Sequence, residues 1–304
     1  MTVVSRYCTP PPDWRAAAAP SRMAHEIRTQ NPQGCRVALL GLPDELGVRL
    51  NGGRPGAAQG PGAFRKALAR YGTARPEWGS WPPIFDAGDV RPTLDLDETH
   101  GRVTAVTSEL LQRDLLPVAI GGGHDLTFPF VRALAEREAR PLSGIYLDAH
   151  LDVRDEPGSG MAFRRLVEAC GVQGLDVRGM DPYSNRSDHL AWFRAHGGKT
   201  GGFGPDDPWP SGPLFMSVDL DVIDQAFAPG VSAQNPAGWS PTRVESWVQA
   251  AGRCSRIGAF DLMELSPPWD EGGRTARLAA RLFCSFLHGV SERPPGSKEV
   301  EHGE

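Results

Sequence analysis

The chain has 304 residues, with 32 Lys and Arg against 37 Asp and Glu, for a formal net charge of −5. That length supports one α/β domain with a large core, and the near balance of charge, with no basic block, points away from nucleic acid or an anionic membrane as partner. No apolar run reaches transmembrane length, Met1 to Ser21 lacks the apolar core of a secretion signal, and five scattered cysteines without a CxxC pair read as reduced thiols of a cytoplasmic protein.

Residues 1–34, rich in Pro and Ala near the start, read as an irregular lead-in that packs on the surface. The first buried strand is Arg36 to Gly41. A glycine-rich segment, Gly47 to Pro61, follows it. That segment lacks the Gly-Lys-Ser/Thr ending of a phosphate loop, so it reads as a flexible loop over a site. Pro61 suits the first turn of a helix to about Ala69, and a second helix spans about Asp97 to Leu111. Strand and helix then alternate. The strands are Pro117–Gly121, Ser143–Asp148, Leu214–Asp219 and Ile257–Leu262. The helices are Leu126–Ala139, a short one near Phe163–Ala169, Pro241–Arg253 and Arg274–Val290. This alternation predicts a mostly parallel sheet covered on both faces. No linker or repeat divides residues 35–291, which read as one domain, and the polar tail 292–304 reads as disordered.

Three polar clusters sit where strands end: Gly121 to Asp125, Asp148 to Asp152, and Asp219 to Asp224. In open parallel sheets, ligands bind outside the carboxyl ends of the strands. If the strand continues extended, Asp148, His150 and Asp152 alternate onto one side. Together the clusters offer His124, Asp148, His150, Asp152, Asp219 and Asp221 as metal ligands. Imidazole with carboxylate suits a divalent ion such as Mn²⁺ or Zn²⁺. Six ligands exceed the three protein ligands of a catalytic zinc, but fit two ions that share carboxylates about 3.5–4 Å apart. Such a pair activates water at neutral pH without a Ser or Cys nucleophile. The rival readings are solvated strand ends, a satisfied core histidine at His124, and helix capping or a calcium loop at Asp219 to Asp224. The last of these lacks the Gly and Glu that a calcium loop requires. Glu264, at a fourth strand end, could pair with a cationic amidine or guanidine, or with an arginine of the protein.

The Gly-Gly-x-His, Asp-Ala-His-x-Asp and Asp-x-Asp-x-x-Asp motifs, in that order, resemble those of the ureohydrolase superfamily of arginases and agmatinases, over about Arg36 to Leu287. The resemblance implies a three-layer α/β/α, arginase-like fold, two Mn²⁺ ions per subunit and assembly into trimers or hexamers. It implies that Asp148 and Asp219 bridge the ions, that His124 and Asp152 complete one and His150 and Asp221 the other, and that Asp224 orients a ligand. Within the superfamily, four stretches are similar to the formimidoylglutamase branch: Gly47 to Pro61, Gly121 to Asp125, Ser159 to Arg164, and Thr275 to Ala280. Met161-Ala162 stands where that branch has Thr-Pro, and Asp125 where it has Glu. Arginases and agmatinases carry a His where this chain, in register, has Phe163, and arginases an Asn where it has Arg154.

Arg154, Arg164 and Arg54 would give the substrate region a cationic lining, suited to a dicarboxylate because Arg forks grip carboxylates bidentately. A surface ion pair is the alternative fate of each. The expected reaction is hydrolysis of the small molecule N-formimidoyl-L-glutamate to L-glutamate and formamide, a step of histidine degradation. Asp152 would accept a hydrogen bond from the attacking water and pass its proton to the leaving nitrogen. Glu264 would hold the amidinium end. Arg154, with Asn185 or Arg164, would hold the carboxylates. Two other readings are a guanidino-acid ureohydrolase, and a metal- or amino-acid-binding protein without turnover.

Overall fold

In the computed structural model, which describes residues 2–72, 74 and 81–294, the apolar runs pair into one eight-stranded sheet. The strands are β1 (Cys8–Thr9), β2 (Val37–Leu42), β3 (Ile84–Val90), β4 (Leu116–Gly121), β5 (Ser143–Leu147), β6 (Leu175–Arg178), β7 (Leu214–Asp219) and β8 (Ile257–Met263). Their spatial order is β1-β3-β2-β4-β8-β7-β5-β6. All pairings are parallel except that of the two-residue edge strand β1 with β3.

Alternation along each strand sorts side chains into two apolar layers. Ile145, Leu147, Met216, Val218, Phe260 and Leu262 pack with helices Gly60–Leu68, Pro241–Arg253 and Arg274–Ser291. Tyr146, Phe215, Ala259 and Met263 pack with helices Leu96–Gln112, Thr127–Arg137, Ala162–Cys170 and Ser187–Ala195. The result is the expected three-layer α/β/α arrangement. Helix starts follow local chemistry. Ser240 caps Pro241–Arg253 by accepting from the Arg243 N–H, with Pro241 in the first turn. Asp95 caps Leu96–Gln112, with Asp97 and Glu98 in the first turn. The last two long helices touch backbone to backbone. A Cβ on Gly289 would lie 2.2 Å from the Gln249 carbonyl oxygen, and one on Gly252 2.2 Å from that of Phe286.

Several elements escape a reading by pattern. β1, β3, β6 and helix Ser187–Ala195 are not anticipated, because β3 carries Asp86 and Asp89 inside an apolar run and β1 and β6 are very short. Residues 2–34 are more ordered than a lead-in. They form short helices at Val3–Tyr7 and Trp14–Ala17, and Trp14, Met23, Ala24 and Ile27 join the core. Of the tail expected to be disordered, 295–304 lies outside the described residues.

One buried ion pair ties this N-terminal part to the sheet. The Arg65 guanidinium donates to both Asp86 oxygens, at 2.9 and 2.8 Å, and pairs with Asp89; the Trp14 indole N–H donates to Asp86 at 2.9 Å. Replacing Arg65 by Met leaves Asp86 buried and uncompensated. A loss of about 3–5 kcal/mol in urea unfolding is expected, and a loss below about 1 kcal/mol would show that water reaches Asp86.

Candidate metal centre

The sheet order makes β4, β8, β7 and β5 consecutive neighbours, so their carboxyl ends open onto one place. His124 lies in the short 3-10 turn after β4, Glu264 follows β8, Asp219 ends β7 with Asp221 in the next turn, and Asp148 follows β5. The glycines before His124 allow a close crossing: a Cβ on Gly122 would lie 2.1 Å from the Asp44 carbonyl oxygen. Convergence of Asp148, His150 and Asp152 does not come from strand alternation, however. β5 ends at Leu147 and the chain bends. The bend is held by Asp148 Oδ1 accepting from the His150 N–H (2.6 Å) and the Leu151 carbonyl accepting from the Tyr146 hydroxyl (2.9 Å). Asp152 has φ 46° and Glu264 φ 65°, left-handed values that non-glycine residues rarely adopt. Strain of this kind gathers at functional sites.

All six expected donors meet here, in two groups. His124, Asp148, Asp152 and Asp219 form one, and Asp148, His150 and Asp221 the other, with the donor atoms of each within 4.8 Å of one another. His124 Nδ1 lies 3.1 Å from Asp148 Oδ2, 3.0 Å from Asp152 Oδ2 and 3.2 Å from Asp219 Oδ2. His150 Nδ1 lies 3.0 Å from Asp221 Oδ2 and 3.5 Å from Asp148 Oδ1. Asp148 turns one oxygen to each group. Asp219 turns Oδ2 to the first group, and its Oδ1 accepts the Asp221 N–H at 2.8 Å. Among the described residues Asp224 makes no side-chain hydrogen bond to any of the six donors; its Oδ1 accepts the Ala226 N–H at 2.8 Å in an exposed turn.

The donor set fits divalent ions on charge and on hydrogen bonding. Asp148 and Asp219 are buried side by side, and burial followed by neighbouring carboxylates pushes both acids upward, Asp219 well upward. Burial alone would lower His124, yet its carboxylate neighbours raise it well above 6.5; the Asp221 carboxylate foremost raises His150. Such a cluster needs positive charge, as protons or as metal. His124 Nδ1 and Asp148 Oδ2 are buried without a hydrogen-bond partner. Behind the ring, Nε2 meets Ser217 Oγ at 2.9 Å, and Ser217 and Thr127 (3.1 Å) both donate to Asp261. This chain makes Nε2 the donor and leaves the Nδ1 lone pair aimed at the cluster, as a metal-ligating imidazole requires. Pattern reading missed Ser217 and Asp261, although a polar residue inside a fully buried strand was a usable signal.

A cavity of 260 Å³ opens over the donors, with Asp152, Asp219, Asp221 and Glu264 among its lining and Arg154, Arg186, His189 and Asn51 at its outer part. Glu264 Oε1 accepts the His124 N–H at 2.9 Å, while Oε2 is buried without a partner; burial raises this acid to about 8. Arg154 is exposed on the rim. The other expected substrate contacts need correction. Arg54 donates to the carbonyls of Ser232 and Val231, both at 2.8 Å, and covers Trp269. Arg164 pairs with Asp155 and Glu168 and lies over Trp192. Neither lines the cavity. Asn185 does, but it donates to the carbonyls of Ala149 and Asp181 and accepts from the Leu151 N–H, so it holds the ligand-bearing bend. Arg186 and His189, which do line the cavity, sit in a stretch with no periodic signal. Phe163 packs edge-on behind His124, ring centroids 5.3 Å apart.

Two outcomes follow. Replacing Ser217 by Ala keeps every ligand but frees the His124 ring, and should weaken Mn²⁺ affinity about 10–100-fold; unchanged affinity in a competition titration would remove Ser217 from the site. The second concerns pH. Glu264 (up to about 8), Asp261 (up to about 6), Asp148, Asp219 and both histidines all hold protons more tightly folded than unfolded. The unfolded chain therefore binds fewer protons between about pH 4.5 and 8, so metal-free protein loses stability as pH rises through that window, about 1.4 kcal/mol per pH unit per proton. Mn²⁺ displaces the protons held by Asp148, Asp219 and the two histidines, so its stabilisation should grow over the same range. Melting curves with and without Mn²⁺ from pH 5 to 8 test both signs; a metal-free Tm that climbs across this range contradicts the reading.

Comparison with known proteins agrees with this geometry. The Arginase family model matches residues 35–199 and 206–289. A formimidoylglutamase of Aromatoleum aromaticum is 32% identical over 297 residues, covering 85% of this chain and 84% of the relative. The human mitochondrial guanidino acid hydrolase is 29% identical over 305 residues, covering 88% and 81%. A Trypanosoma cruzi formiminoglutamase solved with Mn²⁺ superposes with TM-score 0.82 and 27% identity, covering 90% of this chain and 99% of that one. With its sheet order, its strand-end donors and these matches, the chain belongs to the arginase family.

Proposed function

We propose that this chain is a binuclear-manganese hydrolase that cleaves N-formimidoyl-L-glutamate to L-glutamate and formamide. The carrying observation is the polarity of the cavity: acids on its floor (Asp152, Asp219, Asp221 and Glu264) and, on its rim, Arg154 beside an Arg186 that pairs with Asp188. A substrate with a cationic amidine at one end and carboxylates at the other matches that gradient. The similar proteins named formimidoylglutamase support the same substrate.

His124, Asp148, Asp152 and Asp219 would hold one Mn²⁺, and Asp148, His150 and Asp221 the second. When bound, the pair supplies Lewis acidity and an activated water. Glu264, through the unpartnered Oε2, binds the amidinium and fixes the formimidoyl carbon above the donors. Asp152 takes the proton of the attacking water and returns it to the nitrogen that leaves with glutamate, so that the C–N bond breaks to an amine. Arg154 holds a carboxylate at the rim. Burial of the floor excludes bulk water and strengthens each of these contacts.

One observation favours a second reading. Arg54 and Arg164 are engaged elsewhere, which leaves Arg154 as the rim cation without an ion pair among the described residues, enough for a substrate with one carboxylate. A guanidino acid of that kind is in keeping with the likeness to the human guanidino acid hydrolase. The reading extends to a single catalytic domain over residues 35–291, homo-oligomers of three or six chains, and work in the cytoplasm on histidine degradation, in keeping with scattered cysteines that form no CxxC pair.

The deciding experiment gives Mn²⁺-loaded protein formimidoylglutamate, arginine, agmatine and guanidinobutyrate. Formamide and glutamate from the first are expected; urea from a guanidino compound with no formamide would transfer the chain to the second reading. Arg154→Ala should raise KM for formimidoylglutamate about 10–100-fold with a smaller change in kcat, because it removes a contact made in ground and transition state alike. An unchanged KM would take Arg154 out of substrate binding.

A further inference from the structure

A second cavity, of 460 Å³, adjoins the metal centre without containing any of its donors. Arg178 to Pro182 line it, and the residues that follow, Ser184 to Arg186, line the first cavity. Its walls are aromatic: Phe203, Trp239 and Trp247. Two arginines stand against those walls. Arg178 is 6% exposed, with its guanidinium 4.2 Å from the Phe203 ring centroid and 5.4 Å from that of Trp247. Its Nη2 pairs with Asp176 at 2.9 Å, while its buried Nε makes no hydrogen bond. Arg243, exposed at the start of helix Pro241–Arg253, lies 3.8 Å from the Trp239 ring centroid, with no carboxylate partner among the described residues. Asp181 also lines the cavity, but its oxygens are taken by the Tyr183 N–H (3.0 Å) and the Ser184 hydroxyl (2.7 Å).

A buried guanidinium with an unused N–H is costly unless something accepts from it. Aromatic walls add a surface for a flat group, and the volume lies within the range of small-molecule sites. The wall segment Thr200 to Pro205 falls in the gap between the two stretches that match the Arginase family, so this wall is a feature of the chain rather than of the family match. We propose that this cavity is a second, non-catalytic site for a small aromatic carboxylate, its carboxylate held by Arg178 and Arg243 and its ring laid against Trp239 and Trp247. The site is wired to the metal centre. The Arg178 carbonyl accepts the Asp148 N–H at 2.9 Å, and the Asp181 N–H donates to the Ala149 carbonyl at 2.9 Å. An occupant that moves Arg178 therefore moves the backbone of the shared ligand Asp148, and modulates turnover whichever substrate the enzyme takes.

The test uses full-length, Mn²⁺-loaded protein and three probes: benzoate, phenyl phosphate and acetate. Calorimetry and quenching of tryptophan fluorescence should show one benzoate per chain. Acetate should bind about tenfold more weakly for want of a ring, and the substrate should not displace benzoate. Arg243→Gln should weaken benzoate about tenfold or more, the loss expected for a charge-assisted contact, while hydrolysis without benzoate stays within about twofold of the parent. Four results overturn the proposal: no saturable benzoate binding below about 20 mM; equal binding to Arg243→Gln; phenyl phosphate binding more tightly than benzoate, which makes the site one for phosphate; or a change of oligomer mass in Arg243→Gln, which makes the cavity a contact between copies.

Discussion

Buried carboxylates outnumber the cations available to them at the end of this sheet, and most of the structure around the site follows from that imbalance. Elsewhere several buried acids are answered from within the chain. Asp86 has Arg65 and Trp14, Asp125 has His100 at 2.9 Å, and Asp261 has two hydroxyls. At the metal centre, Asp148, Asp152, Asp219 and Asp221 have only His124 and His150 among the described residues, with no Lys or Arg as ion-pair partner. Like charges that close in a low dielectric cannot all stay ionised without compensation. Protons meet the need when metal is absent, and divalent ions meet it with chemistry attached.

The fold keeps that arrangement from relaxing. Each donor follows a strand of a sheet buried on both faces, so donors cannot drift apart without breaking ladder hydrogen bonds. The bend that carries Asp148, His150 and Asp152 is held by Tyr146, Asn185 and Asp181, and the His124 turn is braced by Glu264 and Ser217. Left-handed backbone at Asp152 and Glu264 is the conformational cost of pointing both acids inward.

At the substrate end the polarity reverses. Exposed arginines stand where water can screen them, and two of those expected there serve the scaffold instead. Arg54 clamps the glycine-rich loop onto Ser232 and Val231, and Arg164 pairs with Glu168 on its own helix and with Asp155 before it. Arginine is well suited to either duty, since its donors are satisfied equally by a backbone carbonyl, a neighbouring carboxylate or a substrate. Its presence in a loop therefore says little about which partner it takes.

The donors were legible in the chain because metal chemistry restricts them to a few residue types, and because strands that end at one sheet edge deliver whatever follows them to the same place. Residue type and position after a buried strand named His124, Asp148, His150, Asp152, Asp219 and Asp221. The layered fold was legible too, from apolar runs alternating with amphipathic stretches. Sequence could not show that Asp148 turns one oxygen to each group, that Asp152 turns inward through a left-handed bend, or that Ser217 and Asp261 set the His124 ring. Nor could it tell Arg154, facing the cavity, from Arg54 and Arg164, facing away. Those outcomes depend on side-chain directions and on partners distant in the chain, such as Ser232 for Arg54, and such contacts exist only once the sheet has brought them together.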